Sequence, residues 1–312
     1  MRESRNPGGG ATLAAAVREI LPGTSWSKAK ELCAQGRVLV DGEPVTDPAR
    51  RVTAEERVEV RAGAVPRREP ALTDLILHLD SEVAVVRKPA GLLTVPFDRD
   101  DRDTLLSLAR VAIRRIEGKK ASPTLRAVQR LDKETSGLVV FARTIHAQRH
   151  LQEQLGEHTV LRRYFALVHG TAGDAVYETL LVPDRGDGLR GSWGVFKTAR
   201  GEPPAEAREA VTRVTVLERL TGATRVACEL ETGRQHQIRI HLAEAGHPLV
   251  GETVYIRDWR GPRTPAPRPM LHAAVLGFVH PRTGKRLRFE EPPPEDFERV
   301  VGRLRTASRG LK

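Results

Sequence analysis

Residues 130–142 read RLDKETSGLVVFA, and this stretch predicts a strand with an acidic residue at its entrance. The apolar run at 138–142 is typical of a buried strand, and the Thr-Ser-Gly sequence before it is typical of a turn. A side chain at the end of a rigid strand is held more firmly than one in a long loop, so Asp132 is a candidate for chemistry. The competing interpretation is that Asp132 caps the turn, as aspartate often does.

A second polar cluster, GRQHQIR at residues 233–239, lies further along a strongly basic chain. The chain contains 51 Lys and Arg against 40 Asp and Glu residues, which gives a formal net charge of +11. Arginine contacts phosphates in bidentate fashion and stacks on bases, so this balance favours a polyanionic partner. An arginine-rich surface encoded by a GC-rich genome is the alternative. Together the carboxylate and the basic cluster suggest an enzyme that acts on nucleic acid.

The composition also restricts the class of protein. A length of 312 residues allows two domains. Cys33 and Cys228 lie far apart in apolar segments, so we interpret them as small buried side chains and not as a disulfide or metal pair. The sequence contains no run of about 18 apolar residues, and its polar, glycine-rich start is unlike a secretory signal. We therefore expect a soluble, cytoplasmic protein with no membrane partner. We also expect a monomer, although the sequence does not identify the oligomeric state.

Residues 11–62 predict a small ααβ domain. Apolar spacing predicts a helix over residues 11–21, and Ser25 is placed to cap a second helix. The Asp41-Gly42 pair indicates the turn of a hairpin, and the alternating segment 57–61 indicates a last strand.

This domain resembles the RNA-binding module of ribosomal protein S4. The resemblance rests on Ser27-Lys28 and on the GRVLVDG sequence at residues 36–42. A generic ααβ dimerisation or cap domain is the alternative. The Pro- and Arg-containing segment 63–71 is expected to be a linker to a second domain over residues 72–305.

The second domain is expected to be α+β, with a mixed, largely antiparallel sheet and flanking helices, because strands and helices follow without a regular βαβ rhythm. A loop is expected over about residues 183–204. The predicted strands are 83–86, 137–141, 164–168, 210–217, 224–230, 271–278 and 286–289. The predicted helices are 105–116, 145–155, 237–245 and 295–304.

Several sequence blocks in this domain, in their order, resemble the RluA-type pseudouridine synthases over about residues 74–296. Two blocks carry most of the resemblance, RLDxxTSGL at 130–138 and GRxHQIRxH at 233–241. The supporting blocks are Lys88-Pro89-Ala90-Gly91, Arg162-Arg163-Tyr164, Gly246-His247-Pro248, Gly251, Tyr255 and Leu271-His272-Ala273. The resemblance implies an enzyme that isomerises uridine in RNA. The uridine neither gains nor loses a group in this reaction, so no metal or other cofactor is expected.

The resemblance also implies three catalytic residues. Asp132 would act at the sugar, because an aspartate side chain is ordinarily ionised at neutral pH. Whether Asp132 attacks a carbon of the sugar or removes a proton from it stays open. Arg239 would pair with Asp132 and keep it charged, although it could instead be a phosphate clamp. Tyr164 would stack on the flipped uracil and help the last proton to leave, although a lone strand tyrosine is more often part of the core.

RNA binding is assigned to a further set of basic residues. Arg130 matches the family residue that fills the space left by the flipped base, and an ion pair with a neighbouring acid is the alternative. The expected phosphate contacts are Lys88, Arg162 and Arg234, with Lys28, Lys30 and Arg37 in the N-terminal domain.

Other polar residues receive structural interpretations. His236 and His241 are expected to be hydrogen-bonded structural histidines, because they have no nearby third metal ligand. Ser136 is expected to be a turn hydroxyl bonded to backbone. Three positions depart from the family: Gln129 replaces a histidine, Gln235 a threonine or serine, and Glu252 an aspartate. None is expected to touch Asp132.

The resulting hypothesis is an RNA pseudouridine synthase that flips a uridine out of its stack and acts on large-subunit (23S) ribosomal RNA. The alternatives are the same reaction on transfer RNA, and a non-catalytic RNA-binding or ribosome-assembly factor built on this fold. Binding alone does not require the combination of Asp132, Tyr164 and Arg239.

Overall fold

The computed structural model describes residues 2–5, 10–54, 56–61, 72–98, 101, 103–118, 123–195 and 202–309. The chain forms two compact units, residues 1–69 with 263–269, and residues 70–262 with 270–312. The predicted linker 63–71 lies outside the described residues. None of the helices in the described part of the chain is long and apolar enough to cross a membrane.

The smaller unit contains two short helices and a four-stranded sheet. The helices are α1 (Leu13–Ile20) and α2 (Trp26–Ala34), and the strands are β1 (Arg2–Arg5), β2 (Val38–Val40), β3 (Glu43–Pro44) and β4 (Arg57–Val60). Ser25 caps α2 by accepting a hydrogen bond from the backbone N–H of Lys28 at 3.2 Å, as predicted. Asp41 and Gly42 both have positive φ angles, 51° and 83°, which the tight β2–β3 hairpin requires.

The larger unit is built around an 11-stranded sheet. Its strands are β5 (Ile76–Leu79), β6 (Val83–Lys88), β7 (Arg126–Ala127), β8 (Ser136–Ala142), β9 (Leu161–His169), β10 (Ala175–Val182), β11 (Gly191–Ser192), β12 (Arg208–Leu220), β13 (Ala223–Leu230), β14 (Leu271–Val279) and β15 (Arg286–Glu290). Its helices are α3 (Leu105–Glu117), α4 (Ile145–Gly156), α5 (Gln237–Glu244) and α6 (Glu295–Arg309), with a 3₁₀ turn at Leu72–Leu75.

The strand order along the sheet is β11-β10-β12-β13-β9-β14-β8-β6-β5, with β15 beside β14 and β7 beside β8. Among these strands only β8 and β14 pair in parallel, where Ser136 and Gly137 lie opposite His272 and Ala273. The expectation of a mixed, largely antiparallel α+β sheet with flanking helices is therefore confirmed.

Strands β6 and β8 are buried on both faces, which explains their nearly continuous apolar sequence. Alternate residues pack into two separate cores, one with α3 and one with α4. The α3 core includes Ala84, Val86, Val139, Phe141, Leu105, Ala109 and Ile113. The α4 core includes Val83, Val85, Leu138, Val140, Ala147 and Leu151. The strand that leads away from Asp132 is thus clamped between two helices.

Two further sequence interpretations can be compared with the structure. Cys33 and Cys228 are both fully buried and free, and burial raises the pKa of each thiol to about 12, as expected for small core side chains. Strand β10 was not predicted. The loop expected over about 183–204 contains the short strand β11, and residues 196–201 lie outside the described residues.

Candidate active site

The loop that carries Asp132 is fixed by Thr94, which comes from a separate segment of the larger unit. The Thr94 hydroxyl accepts a hydrogen bond from the Leu131 N–H at 3.1 Å and donates one to the Leu131 carbonyl at 2.9 Å. The Thr135 N–H donates to the Asp132 carbonyl at 3.1 Å, which closes the turn before β8. The backbone on both sides of Asp132 is therefore held in place, and its side chain starts from a defined position.

Lys88 holds the other end of the same loop. It is only 2% exposed, and its ammonium donates to the carbonyls of Lys133 and Thr135, each at 2.7 Å, and of Pro89 at 3.1 Å. An ammonium has three N–H donors, and these three carbonyls use them. The prediction that Lys88 grips an RNA phosphate is therefore wrong, because its charge is buried and fixes the Asp132 loop.

Gly137 allows β8 to approach β14 closely. Its φ is +118°, and a Cβ at this position would lie 2.2 Å from the carbonyl oxygen of Ala273. The neighbouring Ser136 lies in strand β8, and its hydroxyl is 2.9 Å from His272 Nδ1. Ser136 therefore lies in a strand and not in the predicted turn, and its hydroxyl contacts the His272 side chain. Both residues join the strand of the Asp132 motif to β14.

Arg239 reaches the Asp132 carboxylate from helix α5. Its Nη1 lies 3.5 Å from Asp132 Oδ2, so the structure brings this predicted pair together. Its shorter hydrogen bonds go to Glu252, from Nε to Oε2 and from Nη2 to Oε1, both at 2.8 Å. Burial lowers the pKa of Arg239, but the hydrogen-bonded Glu252 raises it by more, so the guanidinium remains charged.

Glu252 belongs to the site, although no contact with Arg239 was predicted for it from the sequence. Its side chain is fully buried, and its Oε1 also accepts hydrogen bonds from the backbone N–H groups of Thr253 at 3.0 Å and Val254 at 2.9 Å. Burial raises the pKa of Glu252, but the pairing with Arg239 outweighs it and the pKa lies below its ordinary value. Glu252 therefore orients Arg239, the partner of Asp132. The carboxylate that the family has at this position was the available signal.

His236 also faces Asp132. Its Nε2 lies 3.8 Å from Asp132 Oδ1, and its Nδ1 is 2.8 Å from the Tyr255 hydroxyl. Burial lowers the pKa of His236, and the nearby Asp132 carboxylate opposes this shift. Its backbone is left-handed, with a φ of 60°, which is uncommon for a residue other than glycine.

His241 has a separate environment. It lies between the hydroxyls of Thr212 and Thr179, each 2.9 Å from one ring nitrogen, and burial lowers its pKa to about 4. Both histidines are hydrogen-bonded, as predicted, but only His236 lies beside the acidic group.

A cavity of about 440 Å³ opens beside Asp132 in the larger unit, and His236 also lines it. Asp132, Arg239 and Tyr164 all contribute to its wall. Tyr164 is 9% exposed, and burial raises its pKa to about 12, so the phenol is neutral at pH 7. The cavity size falls within the range of about 300–1,000 Å³ that is typical of small-molecule sites. The structure therefore offers a pocket in which the Asp132 carboxylate, its partner Arg239 and the Tyr164 ring lie together.

Comparisons with known proteins identify the family of the chain. A sequence model of the RNA pseudouridylate synthase family matches residues 82–244, and the S4 domain matches residues 13–58. The chain is 36% identical to ribosomal large subunit pseudouridine synthase D of Neisseria meningitidis serogroup A, over 95% of this chain and 79% of that protein. The chain belongs to the RNA pseudouridylate synthase family. It is therefore an isomerase that acts on RNA.

Further relatives of this synthase support the assignment. An uncharacterized RNA pseudouridine synthase of Bacillus subtilis, YlyB, is 35% identical over 90% of each chain. The solved structure of human RNA pseudouridylate synthase domain containing 4 aligns with a TM-score of 0.60 and 25% identity, over 75% of this chain and 94% of that chain. The resemblance stated from the sequence blocks is thus confirmed at the level of family and fold.

Three of the predicted RNA contacts line the same cavity of the synthase, namely Arg130, Arg162 and Arg234. Arg130 is exposed. Arg162 is buried and donates to the Glu231 carbonyl at 2.7 Å, and burial lowers its pKa. Arg234 donates through Nε to the Glu209 carbonyl at 2.9 Å. The cavity wall is therefore rich in guanidinium groups.

The predicted N-terminal contacts lie in the smaller unit, where Lys30 is exposed. The Lys28 ammonium pairs with Glu31 at 2.9 Å, and Arg37 donates through Nε to the Arg61 carbonyl at 3.2 Å.

Proposed function

We propose that this synthase isomerises specific uridines of large-subunit ribosomal RNA. The support is the relative in Neisseria meningitidis, whose name gives that substrate and whose similarity spans 95% of this chain. The match to the S4 domain adds support, because it supplies a second unit suited to RNA binding. This substrate is in keeping with the cytoplasmic location expected from the sequence.

The observation that carries the catalytic proposal is the placement of Asp132 3.5 Å from Arg239 in a cavity that Tyr164 also lines. The flipped nucleotide would enter this cavity, at an unstacking cost of a few kcal/mol. Asp132 would act at the ribose, where attack on a carbon and removal of a proton both require an ionised carboxylate. Arg239 would hold that carboxylate, and Tyr164 would stack on the uracil.

The reaction needs no net transfer of a group. The bond between ribose C1′ and uracil N1 breaks, and a bond between C1′ and C5 forms. The proton on C5 leaves and N1 gains one, so atoms and electrons balance within the nucleotide and solvent. The pocket must therefore retain the free uracil while it turns, which the buried Tyr164 ring would favour.

We propose that both units bind the RNA. Arg130 would fill the space of the flipped base, and Arg162 and Arg234 would contact the nucleotide or its phosphates. We propose that the S4-like domain spans residues 11–62, followed by a linker over 63–71 and a catalytic domain over 72–305. In the S4-like domain, RNA would be bound by Lys28, Lys30 and Arg37. Deleting residues 1–62 should weaken RNA binding and reduce its salt dependence. Identical binding across a salt titration would contradict this role.

Carbodiimide treatment followed by primer extension tests the substrate. Unmodified transcripts of large-subunit ribosomal RNA and of transfer RNAs are incubated with the synthase or with buffer alone. We expect new stops only in the ribosomal RNA. Stops confined to transfer RNA would support the alternative substrate, and no stops in any RNA would favour a non-catalytic binding factor.

A further inference from the structure

Trp26 is an exposed aromatic residue on the surface of the smaller unit. It is the first residue of α2, and 49% of its surface is exposed, which leaves a large apolar ring in solvent. The Arg18 guanidinium carbon lies 4.5 Å from the centroid of the Trp26 ring. Arg18 is fixed there because its Nε donates to the Thr24 carbonyl at 2.9 Å. The ring is thus held by an oriented cation and is still accessible.

The surroundings of Trp26 are basic. Lys30 lies one helical turn further along α2, so it shares a helix face with Trp26, and it is exposed. Lys28 differs, because its ammonium pairs with Glu31 at 2.9 Å. We call Arg18, Trp26 and Lys30 the stacking patch. It combines an accessible aromatic ring with two positive charges.

We propose that the stacking patch binds an unpaired nucleotide of the RNA, with its base on Trp26 and its phosphates near Arg18 and Lys30. Aromatic rings within basic grooves bind single-stranded nucleic acid in this way, because every base has a flat π-face. A guanidinium stacked on the ring adds a second flat, charged surface. The stacking patch rests on the proposed function only because RNA is taken as the partner. The smaller unit would contact a single-stranded segment of that RNA.

Two labelled oligonucleotides separate base stacking from charge attraction. One is a twelve-nucleotide oligouridylate, and the other is its abasic analogue, which keeps the phosphates and loses the bases. Fluorescence anisotropy with the full chain measures both affinities. Wild type should prefer the oligouridylate. Trp26→Ala should weaken oligouridylate binding by roughly 5- to 150-fold, the range for removal of a stacking aromatic, and should leave abasic binding unchanged.

Control variants make the result specific to Trp26. Trp26→Phe keeps a flat ring and should retain most of the affinity. Lys30→Gln should weaken binding of both oligonucleotides and lower the salt slope by about 0.7. Ile145→Ala removes an apolar side chain of similar exposure, 51%, from a helix of the larger unit, and should change neither affinity.

Several results would overturn the proposal. Equal affinities of wild type for the two oligonucleotides would count against stacking, because a base contact favours the oligouridylate. Base stacking would also be contradicted if Trp26→Ala bound the oligouridylate as tightly as wild type, or if it lost affinity equally for both oligonucleotides. The stacking patch would then be a helix contact or a protein-binding surface. None of these measurements depends on which uridine is modified, so they remain decisive if the proposed ribosomal substrate is wrong.

Discussion

Glu252→Gln tests whether the buried carboxylate holds the active-site arginine. Glutamine keeps the shape of glutamate but removes the charge that pairs with Arg239 through two hydrogen bonds of 2.8 Å. The Glu252 side chain is fully buried and that of Arg239 is 11% exposed, so the guanidinium would keep only the more distant Asp132 carboxylate, 3.5 Å away, as a counter-charge. Breaking a buried pair in this way costs about 3–5 kcal/mol. We expect the free energy of unfolding at pH 7 to fall by that amount.

The same pair predicts a dependence on pH. The folded pKa of Glu252 lies below its ordinary value of 4.5, so the pair stabilises the fold above that value. Its contribution is lost as the pH falls through the lower folded pKa, because the carboxyl must then be protonated. Glu252→Gln lacks this contribution at every pH. The difference in stability between wild type and variant should therefore narrow below pH 4.5.

Urea denaturation at a series of pH values measures both effects. Glu231→Gln is the matched control, since Glu231 pairs with Arg213 at 2.6 Å but its side chain is 40% exposed. An exposed pair contributes about 0–1 kcal/mol, so this control should change little. Glu252→Gln should also modify RNA more slowly than wild type, because Arg239 would no longer be oriented towards Asp132. A loss in Glu252→Gln no larger than in Glu231→Gln would refute the reasoning.

Three further substitutions test other parts of the site. Tyr164→Phe keeps the stacking ring and should preserve RNA affinity while slowing single-turnover modification by roughly 100-fold or more; an unchanged rate would exclude a role for the hydroxyl. Gly137→Ala places a Cβ 2.2 Å from the Ala273 carbonyl oxygen at positive φ and should cost about 2–5 kcal/mol in thermal unfolding, whereas Gly302→Ala, with open space around it, should be neutral or stabilising. Lys88→Met should destabilise the fold by at least about 2 kcal/mol but leave the salt slope of RNA binding unchanged. A slope reduced by about 0.7 would restore Lys88 as a phosphate contact.

Much of the fold was accessible from the sequence because local signals agreed with one another. Ser25 has the side chain and position of a helix cap, and Asp41-Gly42 allows the positive φ angles of a tight hairpin. The apolar run 138–142 predicted β8 directly. Strand β10 was not predicted because it lies towards one end of the sheet, and its first six residues alternate between half-buried and exposed positions.

The site was predicted less completely, because its geometry depends on residues that are distant in sequence. Asp132 and Arg239 were named from their motifs, and the structure places them 3.5 Å apart. No local pattern indicates that Glu252 binds Arg239 or that Lys88 turns inward to backbone carbonyls. A lysine in a basic chain suggests phosphate binding until its burial is known, and burial is a property of the folded molecule.

The central claim is that the Asp132 carboxylate performs the isomerisation. Asp132→Asn keeps the size of the side chain and removes its charge, and Asp258→Asn is the control because the Asp258 side chain is 70% exposed. Single-turnover pseudouridine formation in a substrate RNA, measured beside RNA affinity for both variants, gives the direct test. We predict no detectable product with Asp132→Asn at unchanged affinity, and a normal rate with Asp258→Asn. Product formation by Asp132→Asn at a rate near that of wild type would contradict the account.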